Sequence, residues 1–311
     1  MARHRTIPAS WRENNRHLQI LRAAEKGQYG VIAAIAYNIE QILGLVEAAE
    51  RARSPLIIQF FPWAITFSKG LLIRAAAEAI KRCNSPISIH LDHAQDEKLI
   101  KLAADTLPFD SIMVDMSHHE KAENLAKTAE LVKYCQERGI ATEAEPGRIE
   151  GGEDGVLDTA GLEGMKTTIE EANDFVATGV DVLAPAIGNV HGEYGPQGPS
   201  LDFDRCVLVI DRNSRFTANF PRLQKLADHL AGNVNIALHG TNGFPPDLMR
   251  RCITAGATKI NVNKLVLDNY SSHLAANAGK VPQTVLMEQG VQKVVAQTVE
   301  WMEICGSAGR A

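Results

Sequence analysis

Strand-like apolar runs and helical patterns alternate eight times along this chain, and each run ends in a polar side chain. The predicted strands cover 30–38, 56–61, the run ending at His90–His93, 111–115, 140–145, 180–187, 234–238 and 259–262. Between and after them, apolar residues recur at helical spacing over 40–53, 71–82, 96–104, 122–138, 169–178, near 222–230, and over 246–255, 265–276 and 291–303. Gly139 and Gly179 close two of these helices, as glycine does at a C-cap. Eight such units in 311 residues match a (β/α)8 TIM barrel, which takes about 250 residues plus extensions. A doubly wound sheet is the rival, but Asn38-Ile39-Glu40-Gln41 follows the first strand where a dinucleotide fold would place a glycine-rich turn. The expectation is an α/β chain with one TIM-barrel domain over 1–311, a basic N-terminal arm (1–16) and C-terminal helices.

Barrel chemistry gathers at the C-terminal ends of the strands. Those ends carry Asn38, Gln59, Asp92 with His93, Asp115, Glu143 with Glu145, His191, His239, and Asn261 with Asn263. Random placement would scatter such residues over both ends. On a strand, residues two apart share a face, so His90 and Asp92 point together and His93 stands at the exit. Burying such groups costs several kcal/mol unless hydrogen bonds or a metal compensate (roughly 2–7 for a neutral polar group). Three imidazoles at strand exits, His93, His191 and His239, suit a catalytic zinc that keeps its fourth position open. His90 suits packing or a supporting hydrogen bond, and His118 and His119 suit a solvated loop.

Two glycine-rich segments, Gly188–Gly192 and Gly240–Gly243, flank two of these histidines and offer backbone N–H groups of the kind that cradle phosphate oxygens. The acidic, glycine-rich loop 147–164 has the form of a lid that delivers an acid or base from Glu153 or Asp154.

A net charge of −5 argues against nucleic acid or a membrane surface as partner. Five widely spaced cysteines form neither a disulfide framework nor a zinc ribbon and suit a reducing compartment. There is no apolar secretory signal after Met1 and no run of ~18 apolar residues. The expected setting is cytoplasmic.

These residues resemble the class II, zinc-dependent fructose- and tagatose-bisphosphate aldolases over nearly the whole chain. The resemblance rests on Ala36-Tyr37-Asn38, Ile57-Ile58-Gln59, His90-x-Asp92-His93, Val114-Asp115-x-Ser117-His118, Glu143-Ala144-Glu145-Pro146-Gly147, Gly152-Glu153-Asp154-Gly155-Val156, Ala186-Ile187-Gly188-x-x-His191-Gly192, His239-Gly240, Asn261-x-Asn263 and Gly306-Ser307-Ala308-Gly309. It implies reversible retro-aldol cleavage of a ketose 1,6-bisphosphate to dihydroxyacetone phosphate and glyceraldehyde 3-phosphate. Zn2+ on His93, His191 and His239 would polarise the ketone, with Glu145 and Asp115 at a resting metal position or behind the ligands. Asp92 would exchange a proton with the C4 oxygen and Glu153 would handle the carbon-bound proton. Asn38, Gln59, Asn261 and Asn263 would orient substrate, and Gly192, Gly240, Thr241 and Asn242 would hold the dihydroxyacetone phosphate end beside a monovalent cation (Na+ or K+). A homodimer or homotetramer follows by the same analogy.

Departures concern phosphate and not chemistry. Phe60-Phe61-Pro62-Trp63 replaces a small polar residue after Gln59, Gly195 stands where the family has a phosphate lysine, and Leu265 interrupts the motif after Asn263. Lys264 is placed to return a positive charge near the first phosphate. Two alternatives therefore accompany the main reading: an aldolase whose substrate is not doubly phosphorylated, favoured by Phe61 and Trp63, and a non-catalytic metal-binding barrel. A two-metal hydrolase fits less well, because the first strand has no His-x-His pair.

Overall fold

β-branched and aliphatic residues fill every strand, and their alternation sorts them into two cores. The computed structural model describes residues 7–153, 165–201 and 234–311. Its strands are β1 (Val31–Ile35), β2 (Leu56–Phe60), β3 (Ile87–Ala94), β4 (Ser111–Val114), β5 (Ala141–Ala144), β6 (Val182–Leu183), β7 (Asn235–Leu238) and β8 (Ala257–Val262). All neighbours are parallel and β8 pairs with β1, closing the barrel. This is the (β/α)8 TIM barrel that the alternation predicts.

Outward-facing Ile32, Ile58, Ile89, Ile112 and Ile260 join the helices in the main core. Inward-facing Val31, Ala33, Ile57, Met113, Val182, Ala184 and Ala237 form a second cluster inside the barrel. Three of those seven are alanines. Their small size leaves interior volume for long polar side chains: Ser88, His90, Glu143 and Lys259 are all fully buried.

The described part of the arm, 7–16, and the helix that follows it form the floor of the barrel. Helix Arg16–Gly27 starts where the Asn15 side chain accepts from Leu18 N, and it buries Ile20, Leu21 and Ala24 against the interior cluster. Asn15 Nδ2 reaches the carbonyls of Asp110 (2.9 Å) and Gly139 (3.2 Å), and Arg12 Nε meets Asp181 Oδ1 at 2.7 Å, all just before strands begin. His17, on this helix, lies 3.0 Å from Ser88 Oγ and stacks on the His90 ring. The sealed end is thus the N-terminal one, which leaves the other end for chemistry.

Two further elements differ from the sequence expectation. A short helix, Pro62–Ser68, follows β2 directly, with proline at its first position. The final helix runs Gln283–Ile304 and not 291–303, continuing through Gly290. A Cβ there would lie 2.9 Å from the Tyr270 ring, so close packing explains a glycine inside the helix. The helix expected near 222–230 lies outside the described residues, as does Cys206; the other four cysteines are free. Among the described residues, no helix is long and apolar enough to cross a membrane.

Candidate active site

Two consecutive residues at the end of β3 face the same cavity, which ordinary strand alternation forbids. His93 takes a left-handed backbone (φ 46°), and the register with β4 shifts between Leu91 and Ala94. A bulge of this kind re-aims a side chain, here at a backbone cost of order 1–3 kcal/mol. Asp92 and His93 therefore both point into the mouth of the barrel, beside His191 after β6 and His239 after β7.

His93, His191, His239 and Glu145 each offer a ligand atom, all within 4.8 Å of one another and all buried. Outer partners fix which imidazole nitrogens are available. His93 Nδ1 is 2.8 Å from Asp115 Oδ2, leaving Nε2 to face inward. His239 Nε2 is 2.7 Å from Glu143 Oε1, leaving Nδ1 to face inward. Those two inward nitrogens are 3.0 Å apart, so their lone pairs repel unless a proton or cation lies between them. His191 Nε2 and Glu145 Oε2 are buried with no hydrogen-bond partner among the described residues. Carboxylate-oriented imidazoles around converging unpartnered donors fit a divalent metal of the zinc type.

Protonation follows the same geometry. Burial acts on every group. At Glu145 it combines with the nearby Asp115 charge to push the carboxyl up to about 8. At His93 burial pulls down, but Asp92, Asp115 and Glu145 outweigh it and raise the imidazole to about 10. His191 is lowered well below its ordinary value by burial and by the facing His93 and His239. Asp92 is held well below the usual carboxylate range: burial opposes this, but the His93 and Lys259 charges prevail. Glu143 is lowered likewise, Lys259 overcoming burial.

Asp92 is immobilised. Its Oδ2 accepts from Asn261 Nδ2 at 3.1 Å and from Gln59 Nε2 at 3.3 Å. Gln59, Phe61, Glu153, Thr241, Asn242 and Asn263 line the cleft above it. Glu153 reaches this cleft from the long loop, held by Asn263 Nδ2 at 3.0 Å, and Asn263 also contacts Tyr37 Oη at 2.9 Å. Asp154 falls outside the described residues. Phe61 sits against His93 and Tyr37, and Tyr37 lies edge-on to Trp63.

Not every expected residue joins the cleft. Asp115 faces the outer nitrogen of His93 and accepts from Ser117 Oγ at 2.7 Å, behind the ligand cluster. Asn38 caps helix Ile39–Ala52 through Gln41 N and donates to Tyr270 Oη at 2.9 Å. Lys264 is exposed and paired with Glu193. Glu143, Lys259 and His17 are the groups that sequence reasoning left unassigned. Lys259 and Asn261, two apart on one face of β8, are the signal that could have found the lysine.

Gly240 has φ 65°, and a Cβ there would be driven into the Val190 carbonyl. Tyr194 Oη donates to the Gly240 carbonyl at 2.7 Å and accepts from Val190 N at 3.0 Å, knitting the two glycine-rich loops together. Gly240→Ala is expected to cost about 1–3 kcal/mol, read as a fall in the denaturation midpoint. An unchanged midpoint would show that the loops yield freely.

The sequence matches the model of the family described as fructose-bisphosphate aldolase class-II over residues 15–310. The chain belongs to that family. It is 45% identical over 306 residues to a candidate fructose-bisphosphate aldolase of Coccidioides immitis, with 96% of each chain covered. It is 32% identical over 311 residues to the fructose-bisphosphate aldolase of Streptococcus pyogenes serotype M3, covering 94% of this chain and 98% of the relative. The crystal structure of a candidate fructose-1,6-bisphosphate aldolase from C. immitis superposes with a TM-score of 0.86 at 47% identity, covering 96% of this chain and 98% of that one. The YdjI aldolase of Escherichia coli K12 does so at 0.77 and 26%, covering 95% and 98%. As a class II aldolase the chain is a carbon–carbon lyase from a metal-dependent family that acts on phosphosugars, so the non-catalytic alternative falls away.

Proposed function

We propose that this aldolase is zinc-dependent and reversibly cleaves a ketose 1,6-bisphosphate of the fructose or tagatose type to dihydroxyacetone phosphate and glyceraldehyde 3-phosphate. The observation that carries the reading is the immobilised Asp92 carboxylate beside three converging imidazoles. His93, His191 and His239 would hold the ion, with Glu145 as a further ligand. Bound there, zinc would supply the Lewis acid that polarises the substrate ketone.

Cleavage breaks the C3–C4 bond, and the C4 hydroxyl must lose its proton as C4 becomes an aldehyde. Asp92 is ionised, faces the cleft, and cannot rotate away from Gln59 and Asn261, so it is the base for that proton. Glu153, presented by Asn263, returns a proton to C3 after cleavage and removes it in the condensation direction. Thr241, Asn242 and the Gly192 and Gly240 backbones hold the first phosphate beside a monovalent cation. The chain works in the cytoplasm as a homodimer or homotetramer; its free cysteines suit that setting.

A second reading concerns the far end of the substrate. Phe61 packs against His93 and Tyr37, and Trp63 lies edge-on to Tyr37, which gives that side of the cleft an aromatic wall. A ketose 1-phosphate with an uncharged far end fits that wall. Cleavage of fructose 1,6-bisphosphate and of fructose 1-phosphate, each with and without a chelator, tests both. The expected result is triose release that chelation abolishes and zinc restores. Zinc-loaded protein inactive on both would sink the reaction, and a higher kcat/KM on the monophosphate would select the second reading.

A further inference from the structure

Lys259 and Glu143 lie fully buried inside the barrel, beneath the cleft, and line no part of it. Their charges meet at 2.9 Å (Nζ to Oε2). Taking two ions out of water costs several kcal/mol each, and an apolar pair of similar volume usually does as well or better for stability. Apolar residues fill part of the same barrel interior, but the pair's immediate partners are polar: His90, Asn261 and His239. What the pair does is visible in its remaining bonds.

Lys259 Nζ also donates to Asn261 Oδ1 at 2.7 Å. An ammonium has only donors, so it can bond the oxygen end of that amide and not the nitrogen end. The nitrogen end is thereby turned to Asp92, which it meets at 3.1 and 3.3 Å. Were the amide to flip, its oxygen would face the carboxylate and the contact would become repulsive. Glu143 is the mirror case. An ionised carboxylate only accepts, so Oε1 against His239 Nε2 places the proton on Nε2 and leaves Nδ1 free toward the ligand cluster. His90 closes the pocket, its Nε2 3.6 Å from both Asp92 and Glu143. His90, Asp92 and Glu143 alone would resemble a cation site; the Lys259 ammonium already supplies the positive charge there.

We infer that Lys259 and Glu143 are positioning residues: one buried ion pair sets the face that Asn261 presents to Asp92 and the tautomer that His239 presents to the metal. The inference rests on the zinc-aldolase reading for what Asp92 and His239 then do. Neither residue touches substrate, and their effect passes through Asn261 and His239.

Three variants test it: Glu143→Gln, Lys259→Met and the double substitution. Lys259→Met leaves an uncompensated buried carboxylate and is expected to lower the denaturation midpoint sharply, whereas the double variant regains most of the loss. With folding restored, kcat of the double variant should remain about 10- to 100-fold down, with KM within about threefold, because a misdirected Asp92 acts in the transition state and not on substrate binding. Glu143→Gln can present either amide end to His239 and should bind zinc about 10- to 100-fold more weakly in chelator competition. A double variant with wild-type kcat and wild-type zinc affinity would overturn the inference and leave the pair as a core ion pair only. Should Lys259→Met fail to fold, Glu143→Gln and the double variant carry the comparison. Wild-type protein inactive on both sugar phosphates would sink the reaction, while chelator competition on Glu143→Gln still decides the role of the pair at the metal site.

Discussion

Asp92→Asn is expected to reduce kcat for cleavage by about 10²- to 10⁴-fold, the range for loss of a general base, with the fold and zinc content intact. The substitution is nearly isosteric at a buried position, so no cavity opens. It does remove an ionised group in the cleft that two amide donors hold in place. The new side chain brings an NH2 of its own against the Asn261 and Gln59 amides, and one donor there loses its acceptor, a cost of about 1–3 kcal/mol. A modest drop in the denaturation midpoint should therefore accompany the kinetic loss. Exchange of the C3 hydrogen of dihydroxyacetone phosphate with D2O separates the two proton transfers. Asp92→Asn should retain exchange, since that proton is assigned to Glu153, and Glu153→Gln should lose it. A variant at Asp92 that keeps more than a tenth of wild-type kcat would move the C4 proton to another group.

Why Asp92 could be found in the sequence, while its support could not, has a physical basis. The barrel was legible because period-2 and period-3.6 patterns alternate without interruption, and because strand exits can be read one by one. The three histidines stood out for the same reason: imidazoles at the end of apolar runs have few structural excuses. Lys259 was overlooked because a single lysine within a strand reads as a solvated side chain on an open face; only barrel closure reveals that this face has no solvent. The local backbone was hidden as well. Nothing in Leu91-Asp92-His93-Ala94 announces a left-handed residue, yet that φ makes neighbouring side chains share one cavity. The helix that carries His17 has no role legible in the sequence, because a helix that plugs a barrel looks like any amphipathic helix until its partners are in place.

Zinc affinity should rise steeply with pH, and the metal-free protein should lose stability over the same range. Glu145 sits at about 8 against an ordinary 4.5, and His93 at about 10 against 6.5, so both carry a proton at neutral pH before metal binds. For a group whose folded pKa is raised, the stabilisation is complete below the ordinary value and disappears as pH climbs through the folded one. Glu145 thus gives up its contribution between about 4.5 and 8, and His93 between about 6.5 and 10. A ligand must shed its proton to bind metal, so each proton displaced steepens the affinity by up to about tenfold per pH unit. With two such groups, apparent zinc affinity should tighten by up to about 100-fold per unit below pH 8, where both still hold protons, and by about tenfold per unit from there toward 10. The difference in denaturation midpoint with and without zinc should accordingly widen as pH rises from 6.5 to 8.5. Titration calorimetry in buffers of different ionisation enthalpy would count the protons released. Glu145→Gln should remove one proton from that count and flatten the slope; an affinity independent of pH would mean that neither group gives up a proton to the metal.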